Sequence, residues 1–314
     1  MRKHRKWLVM IILAGLAALA YTPDIPADRL RERYTYSESA FLPFEGMQVH
    51  YRQTGSGPCL LLLHGVASSL HTWQGWHSRL SDTYTVVSVD LPGFGLTGPH
   101  PQGDYSEAMY MRLFDALLSH LGQDSCLVAG NSFGGYLAWH YALARPQAVK
   151  QVVLLDAAGF DNAEKTDNIG FRLAMNPLTR PFTYYVTPRF VLQRSVVNVY
   201  GDPQKVTPQL VQRYYDLILR SGNRQAFATI LNRLHQQRTD PDTLRNLHQP
   251  VLIIWGAQDR IIPVDNAYKF DKILPNSILT ILPAAGHVPM EELPGKTAAL
   301  SRQFFEDAYE QQQP

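Results

Sequence analysis

Gly130-Asn131-Ser132-Phe133-Gly134 lies where a short apolar run, Cys126 to Ala129, meets a helical pattern that continues from Phe133 to Arg145. A serine at so sharp a strand-to-helix turn takes a strained backbone, and its neighbours two positions away must lack bulk. Gly130 and Gly134 meet that demand. The spacing G-x-S-x-G predicts a nucleophile elbow, with the Ser132 hydroxyl pushed out at a strand end above a helix N-terminus. Such a pentapeptide arises by chance in roughly one chain in ten of this length, so its surroundings carry the weight.

Upstream, Pro58-Cys59-Leu60-Leu61-Leu62-Leu63 ends in His64-Gly65-Val66-Ala67, where an oxyanion-hole loop would leave its strand. Downstream, the apolar run Val251 to Trp255 is followed by Gly256-Ala257-Gln258-Asp259, and the run Ser277 to Leu282 by Ala285-Gly286-His287. Ser, Asp and His thus occur in that order, each just past the end of a predicted strand. On these four motifs, residues from about 40 to 310 resemble the α/β-hydrolase family. The resemblance implies a mostly parallel eight-stranded sheet with helices on both faces and a helical cap inserted after the sixth strand.

A coarse pass along the chain agrees. An antiparallel entry (Ala40 to Phe44, then Met47 to Arg52, with Gly46 in the turn) precedes a strand at Thr85 to Asp90, a helix at Ser106 to Leu121 and a strand at Lys150 to Asp156. Alternating strand and helix patterns predict a sheet covered on both faces. Between Asp156 and Val251 no comparable apolar strand occurs, and the pattern is helical, punctuated by Asn176-Pro177, Thr187-Pro188 and Gly201-Asp202-Pro203. The expected division is therefore 1–21 as an N-terminal segment, 22–159 and 248–314 as the two parts of the core, and 160–247 as the cap.

Forty-five per cent apolar and 18% charged residues over 314 positions describe an ordinary globular chain, and a formal charge of +2 leaves no nucleic-acid footprint. Its one basic run is at the start: Arg2, Lys3, Arg5 and Lys6 precede an apolar stretch from Trp7 to Tyr21. That pattern reads as an export signal. Ala18-Leu19-Ala20 offers a cleavage site, whereas Tyr21 as an interface residue suits an uncleaved membrane anchor. Either version puts the catalytic domain outside the cytoplasm: periplasmic, secreted or membrane-anchored. Cys59 and Cys126 stand near the starts of strands that the resemblance makes neighbours; a bond across adjacent parallel strands is geometrically demanding, which favours buried free thiols.

From Phe160 to Leu247 there are 12 Lys or Arg against 7 Asp or Glu, a local excess of +5, together with many aromatic residues. The aromatics suit helix packing and the lining of an apolar acyl pocket. The charge suits attraction to an anionic surface if Arg172, Arg180, Arg189, Arg194, Arg213, Arg220 and Arg224 share one face. Gly93-Phe94-Gly95-Leu96-Thr97-Gly98 fits G-x-G-x-x-G, but Pro99 and Pro101 follow where a dinucleotide site needs a helix, so it reads as a loop. The eleven histidines show no metal-ligand spacing.

The chemistry expected from the resemblance is a Ser132-His287-Asp259 triad. His287 takes the Ser132 proton, Asp259 orients the imidazole, and the N–H groups of Val66 and Phe133 hold the oxyanion. Asp156, also at a strand end, is the rival acid; relatives place the acid after the strand that follows the cap, which points to Asp259. No cofactor or metal enters this scheme. Haloalkane dehalogenases and epoxide hydrolases carry aspartate where Ser132 stands. Carbon-carbon bond hydrolases share the G-N-S-x-G-G elbow, but usually show a more glycine-rich segment after His-Gly and a tryptophan after the catalytic histidine, where this chain has Val66-Ala67-Ser68 and Val288. The simplest expectation is a carboxylic-ester hydrolase resembling bacterial exported esterases and lipases, acting on a small-molecule or lipid ester. Lactone hydrolysis and cofactor-free haloperoxidase chemistry use the same constellation, and the fold also serves as a non-catalytic binding module.

Overall fold

The computed structural model describes residues 20–160, 168–236 and 240–310. The expected export segment therefore lies outside the described residues except for Ala20 and Tyr21.

A short helix α1 (Ala27–Tyr34) leads into β1 (Ser39–Phe44) and β2 (Met47–Thr54), an antiparallel hairpin whose turn is made by Glu45 and Gly46, both at positive φ. Then follow β3 (Cys59–Leu63), α2 (Gln74–Leu80), β4 (Thr85–Val89), α3 (Glu107–His120), β5 (Cys126–Asn131), α4 (Phe133–Ala144) and β6 (Val149–Leu155). After an excursion described below, β7 (Val251–Gly256), α10 (Asp265–Ile273), β8 (Ser277–Leu282), α11 (Pro289–Glu292) and α12 (Pro294–Glu310) complete the core.

The eight strands form one sheet in the order β1-β2-β4-β3-β5-β6-β7-β8. β2 pairs antiparallel with both its neighbours, and every pairing from β4 to β8 is parallel. Parallel strands buried on both sides need continuous apolar sequence, which Leu60-Leu61-Leu62-Leu63 supplies. Leu61 and Leu63 face one core with α3, α4 and α10; Leu60 and Leu62 face another with α2 and α12. α4 is apolar on all sides because it is sandwiched: Phe133 and Tyr141 make edge contacts with Tyr110 and Phe114 of α3. Cys59 and Cys126 open the adjacent strands β3 and β5, and both are buried free thiols. Burial pushes the Cys59 thiol up to about 12 and Cys126 higher still.

Between β6 and β7 the described elements are all helical: α5 (Ile169–Met175), α6 (Arg180–Thr183), α7 (Arg189–Val199), α8 (Pro208–Ile218), α9 (Asn223–Gln236) and short 3-10 turns. Their starts follow local chemistry. Asn168 caps α5 by accepting the Gly170 and Phe171 N–H groups, and Thr207 caps α8 with Pro208 at its first position. The chain just after Tyr21 lies along these helices, with Thr22 N–H donating to Tyr185 O (2.8 Å), Ile25 N–H to Leu219 O (2.7 Å) and Ser221 N–H to Ile25 O (3.1 Å). Among the described residues no helix is long and apolar enough to cross a membrane.

Candidate active site

The expected site residues converge on the C-terminal edge of the parallel strands, where ligands of open α/β sheets bind. Gly65 to Ala67 follow β3, Ser132 follows β5, Asp156 follows β6, Asp259 follows β7 and His287 follows β8. Ser132 sits at φ 55°, ψ −117°, a backbone that costs a non-glycine residue about 1–3 kcal/mol. Its surroundings hold it there. Ser132 N–H donates to Leu155 O (3.1 Å), and Ser132 O accepts both Tyr136 N–H and Ala158 N–H at 3.0 Å. A Cβ on Gly134 would stand 2.1 Å from Leu63 O, and one on Gly130 2.2 Å from Gly134 O. The two glycines are thus required by the close approach of helix and strand.

His287 Nδ1 lies 2.7 Å from Asp259 Oδ2, while Asp259 Oδ1 accepts Ile261 N–H (2.7 Å) and Ile262 N–H (3.0 Å). With every Asp259 bond made as acceptor, Nδ1 carries the hydrogen, and Nε2 keeps a lone pair able to take a proton. Asp156 occupies a different place. It is fully buried at φ 46°, and its Oδ1 accepts Gly256 N–H (2.9 Å). Burial, then the charge of Asp259, raise Asp156 well above the ordinary carboxylate range. A protonated Asp156 has in Asp259 the acceptor that its second oxygen otherwise lacks. Oxygen and nitrogen atoms of Asp156, Asp259 and His287 lie within 4.8 Å of one another, close enough for a cation. The His287 to Asp259 bond and the elevated Asp156 describe a proton-holding group instead.

The loop expected to hold the oxyanion is set by a residue type that invites misreading. His64 is fully buried, and burial lowers its basicity, so the ring is neutral. Its Nε2 accepts Leu91 N–H (3.0 Å), which leaves Nδ1–H to donate to Gly65 O (2.7 Å). Gly65 O and Val66 N–H belong to one trans peptide and point opposite ways. Fixing the carbonyl on His64 therefore turns the Val66 N–H away from it, next to a loop whose Gly65 would place a Cβ 3.0 Å from Ser132 Cβ. Phe133 is the first residue of α4, so its N–H has no intrahelical acceptor. Among the described residues neither Val66 nor Phe133 N–H has a hydrogen-bond acceptor.

Three attachments escape the sequence motifs. Asn131 Nδ2 donates to Leu155 O (3.0 Å) and to His287 O (2.8 Å), tying the elbow to the histidine loop. Glu292 accepts Gly201 N–H (3.0 Å), Asp202 N–H (2.8 Å) and Gly286 N–H (2.8 Å), tying that loop to the end of α7. Glu291 pairs with Arg213 and accepts Tyr214 O–H (2.8 Å), both from α8. Asn131 was visible inside the elbow motif; the glutamates had only their position five residues or fewer after His287.

Ser132, His287, Val66 and Asn131 line one pocket of about 70 Å³, roofed by Phe171, Leu192, Val196 and Tyr214 of the inserted helices. Ala67, Asn168, Phe171, Leu192 and Ser195 also line a second cavity of about 110 Å³, walled by Leu173, Val186, Val191 and Phe227. The two spaces are neighbours that share these five lining residues. The expected seven-arginine face is corrected: Arg213 is bound to Glu291, Arg220 to Thr97 O (3.0 Å), and buried Arg224 to Asp24 (2.7 Å) and Thr22 O (2.9 Å). Those three guanidiniums have folded partners because they pack the inserted helices onto the rest of the chain.

A family model described as the alpha/beta hydrolase fold matches residues 58–294, which contain all of these site positions. The chain belongs to the α/β-hydrolase family. It is 30% identical over 279 residues to an uncharacterized protein of Mycobacterium tuberculosis, covering 85% of this chain and 80% of that one. It is 25% identical over 290 residues to a 2-hydroxy-6-oxo-6-(2'-aminophenyl)hexa-2,4-dienoic acid hydrolase of Metapseudomonas resinovorans, covering 89% and 95%. Among solved structures, a membrane phospholipase A described as a bacterial virulence factor aligns with TM-score 0.76 and 25% identity, covering 98% of this chain and 99% of that one. The relatives with assigned activities named here are hydrolases, and this α/β hydrolase shares their architecture.

Proposed function

We propose that the chain is an exported serine hydrolase that cleaves uncharged carboxylic esters through an acyl-serine intermediate. Ser132 is the nucleophile, His287 the general base and acid, and Asp259 the group that holds the Nδ1–H tautomer. Val66 and Phe133 N–H groups receive the oxyanion. The observation that carries this reading is the 2.7 Å bond between His287 and Asp259, on a histidine that shares a pocket with an elbow serine in strained backbone. Proton transfer from Ser132 to His287 lets the hydroxyl attack the ester carbonyl. The alcohol leaves with that proton, and water then attacks the acyl-serine with the same histidine as base.

The choice of an uncharged ester rests on what lines the site. The dienoic acid cleaved by the relative from Metapseudomonas resinovorans carries a carboxylate. No arginine or lysine is among the described residues that line the pocket over Ser132, and Arg224, beside the second cavity, is already paired with Asp24. Burying an unpaired carboxylate there would be costly, whereas an alkyl chain matches Leu173, Val186, Leu192 and Phe227. The likeness to a membrane phospholipase supports the same reading, and the basic then apolar start of the chain supports export and attachment to a membrane. The helices from α5 to α9 act in this scheme as the cap.

The test is a series of esters of increasing acyl length, with a dienoic carbon-carbon substrate alongside, assayed on wild type and Ser132→Ala. Ester turnover should exceed dienoate turnover and fall by about 10³-fold or more in the variant. Ester turnover that survives in a folded Ser132→Ala protein, or a preference for the dienoate, contradicts the proposal.

A further inference from the structure

We propose that Leu178, Phe182 and Tyr185, with Tyr21 beside them, form a second membrane contact that seats the inserted helices in the headgroup region of an anionic bilayer. This goes beyond attachment by the N-terminal segment and does not depend on which ester is cleaved.

Six of the eight large apolar side chains that stand exposed among the described residues are Tyr21 or fall between Ile169 and Phe190. Leu178 is 82% exposed, Phe182 69%, Tyr185 56% and Tyr21 55%. Phe182 lies in the short helix α6, and Leu178 and Tyr185 lie in the turns on either side of it, four and three residues away. The bond from Thr22 N–H to Tyr185 O (2.8 Å) brings Tyr21 to the same place. A clustered apolar face of this kind marks a binding surface rather than ordinary solvent exposure.

The chain itself indicates the occupant. The apolar stretch from Trp7, preceded by Arg2, Lys3, Arg5 and Lys6, ends at Tyr21. A basic-flanked apolar run partitions into lipid, and its end delivers Tyr21 to the interface, where tyrosine is favoured. Charge agrees: from Asn168 to Tyr200 there are four arginines, Arg172, Arg180, Arg189 and Arg194, and no Asp or Glu. Arg172, Arg189 and Arg194 are exposed, and Arg180 is half-buried. Basic residues beside an apolar face suit anionic headgroups. The inner side of the same segment, at Thr183, Val186 and Pro188, lines the apolar cavity that shares Phe171, Leu192 and Ser195 with the Ser132 pocket. One short lipid-binding element holds a protein weakly, and a second on the same side makes attachment stable.

Because both native cysteines are buried, an introduced cysteine can be labelled alone. The full chain is reconstituted into phosphatidylcholine vesicles with and without phosphatidylglycerol, carrying an environment-sensitive fluorophore at Phe182→Cys or, as reference, at Tyr268→Cys. Tyr268 is also exposed, at 54% against 69% for Phe182, but lies on α10. In anionic vesicles the label at 182 should be quenched by nitroxide lipid and be protected from iodide at least about fivefold relative to 268, with less protection when phosphatidylglycerol is omitted. Equal iodide access at both positions overturns the proposal. So does protection at 182 without nitroxide-lipid quenching, which would mean that a second copy or the chain's own first residues cover the face. This readout requires no catalysis, so it stands apart from the ester reading. As a functional arm, Leu178→Ser/Phe182→Ser/Tyr185→Ser should lower hydrolysis of a vesicle-embedded ester by at least about tenfold while leaving turnover of a soluble short-chain ester unchanged. An equal rate with wild type on the embedded ester would contradict it.

Discussion

Every residue of β3, β4, β5 and β7 is buried, whereas α5 and α7 each bury one residue and α6 buries none. The sheet gains stability from apolar side chains packed on both faces. Packing is fuller in α8 and α9, where Ala226 and Ile230 join the sheet's core, and α5 to α7 are held mainly at their margins, by the Glu292 attachment and by the chain that follows Tyr21. The difference separates two tasks. A strained serine and a histidine tautomer demand a rigid frame, and the sheet edge supplies it. The proposed substrate selection and lipid contact need an adaptable apolar surface, and the thinly packed α5 to α7 offer one.

The largest expected effect lies on the sheet side. Asp259→Asn should lower kcat by about 10⁴-fold, because an amide at Nδ1 favours the wrong imidazole tautomer, whereas Asp156→Asn should leave turnover within about tenfold, because asparagine resembles the protonated acid. Steady-state kinetics of the two variants decide between the positions, and the reverse ranking would move the orienting role to Asp156. The same pair differs in stability. Raised above its unfolded value, Asp156 contributes fully below about pH 4, and that contribution is lost as pH rises through the folded value. Relative to wild type, Asp156→Asn should gain Tm as pH rises above about 4.

The junction between the two regions comes next. Glu292→Ala leaves three backbone N–H groups without their acceptor and should cost on the order of 3 kcal/mol, read from urea unfolding. Loss of ester turnover should accompany it even in buffer where the variant is fully folded, since Gly286 precedes His287. Normal turnover would show that the histidine loop does not depend on its attachment to α7.

The smallest effects distinguish interior from surface. Leu62→Ala, in the middle of the sheet, should destabilise by about 2–5 kcal/mol, whereas Phe182→Ser should stay within about 0.5 kcal/mol. A large loss for Phe182→Ser in the absence of lipid would mean that this side chain packs against protein, and would erase the contrast between the regions.

The centre of the sheet was legible because β3, β5 and β7 are short apolar runs that end at His64, at Gly130-Asn131 and at Gly256. The elbow was legible because the required glycines flank a serine at a strand end. What stayed hidden depends on partners far apart in the chain. Nothing near Glu292 reveals that it accepts N–H groups from Gly201 and Asp202. The apparent basic surface lost Arg224 to Asp24, 200 positions away, and Arg213 to Glu291. His64, which a metal or catalytic search would select, orients a peptide instead. Asp156 and Asp259 look alike in sequence, each following a strand, and only their packing separates an acid that holds a proton from one bonded to His287.

The central claim is that Ser132 is an activated nucleophile, and mass analysis after reaction with a fluorophosphonate tests it most directly. A single adduct should form on the peptide containing Ser132, and His287→Ala should slow its formation by at least about 10²-fold. A folded wild-type protein that stays unmodified, or an adduct confined to another serine, would contradict the account.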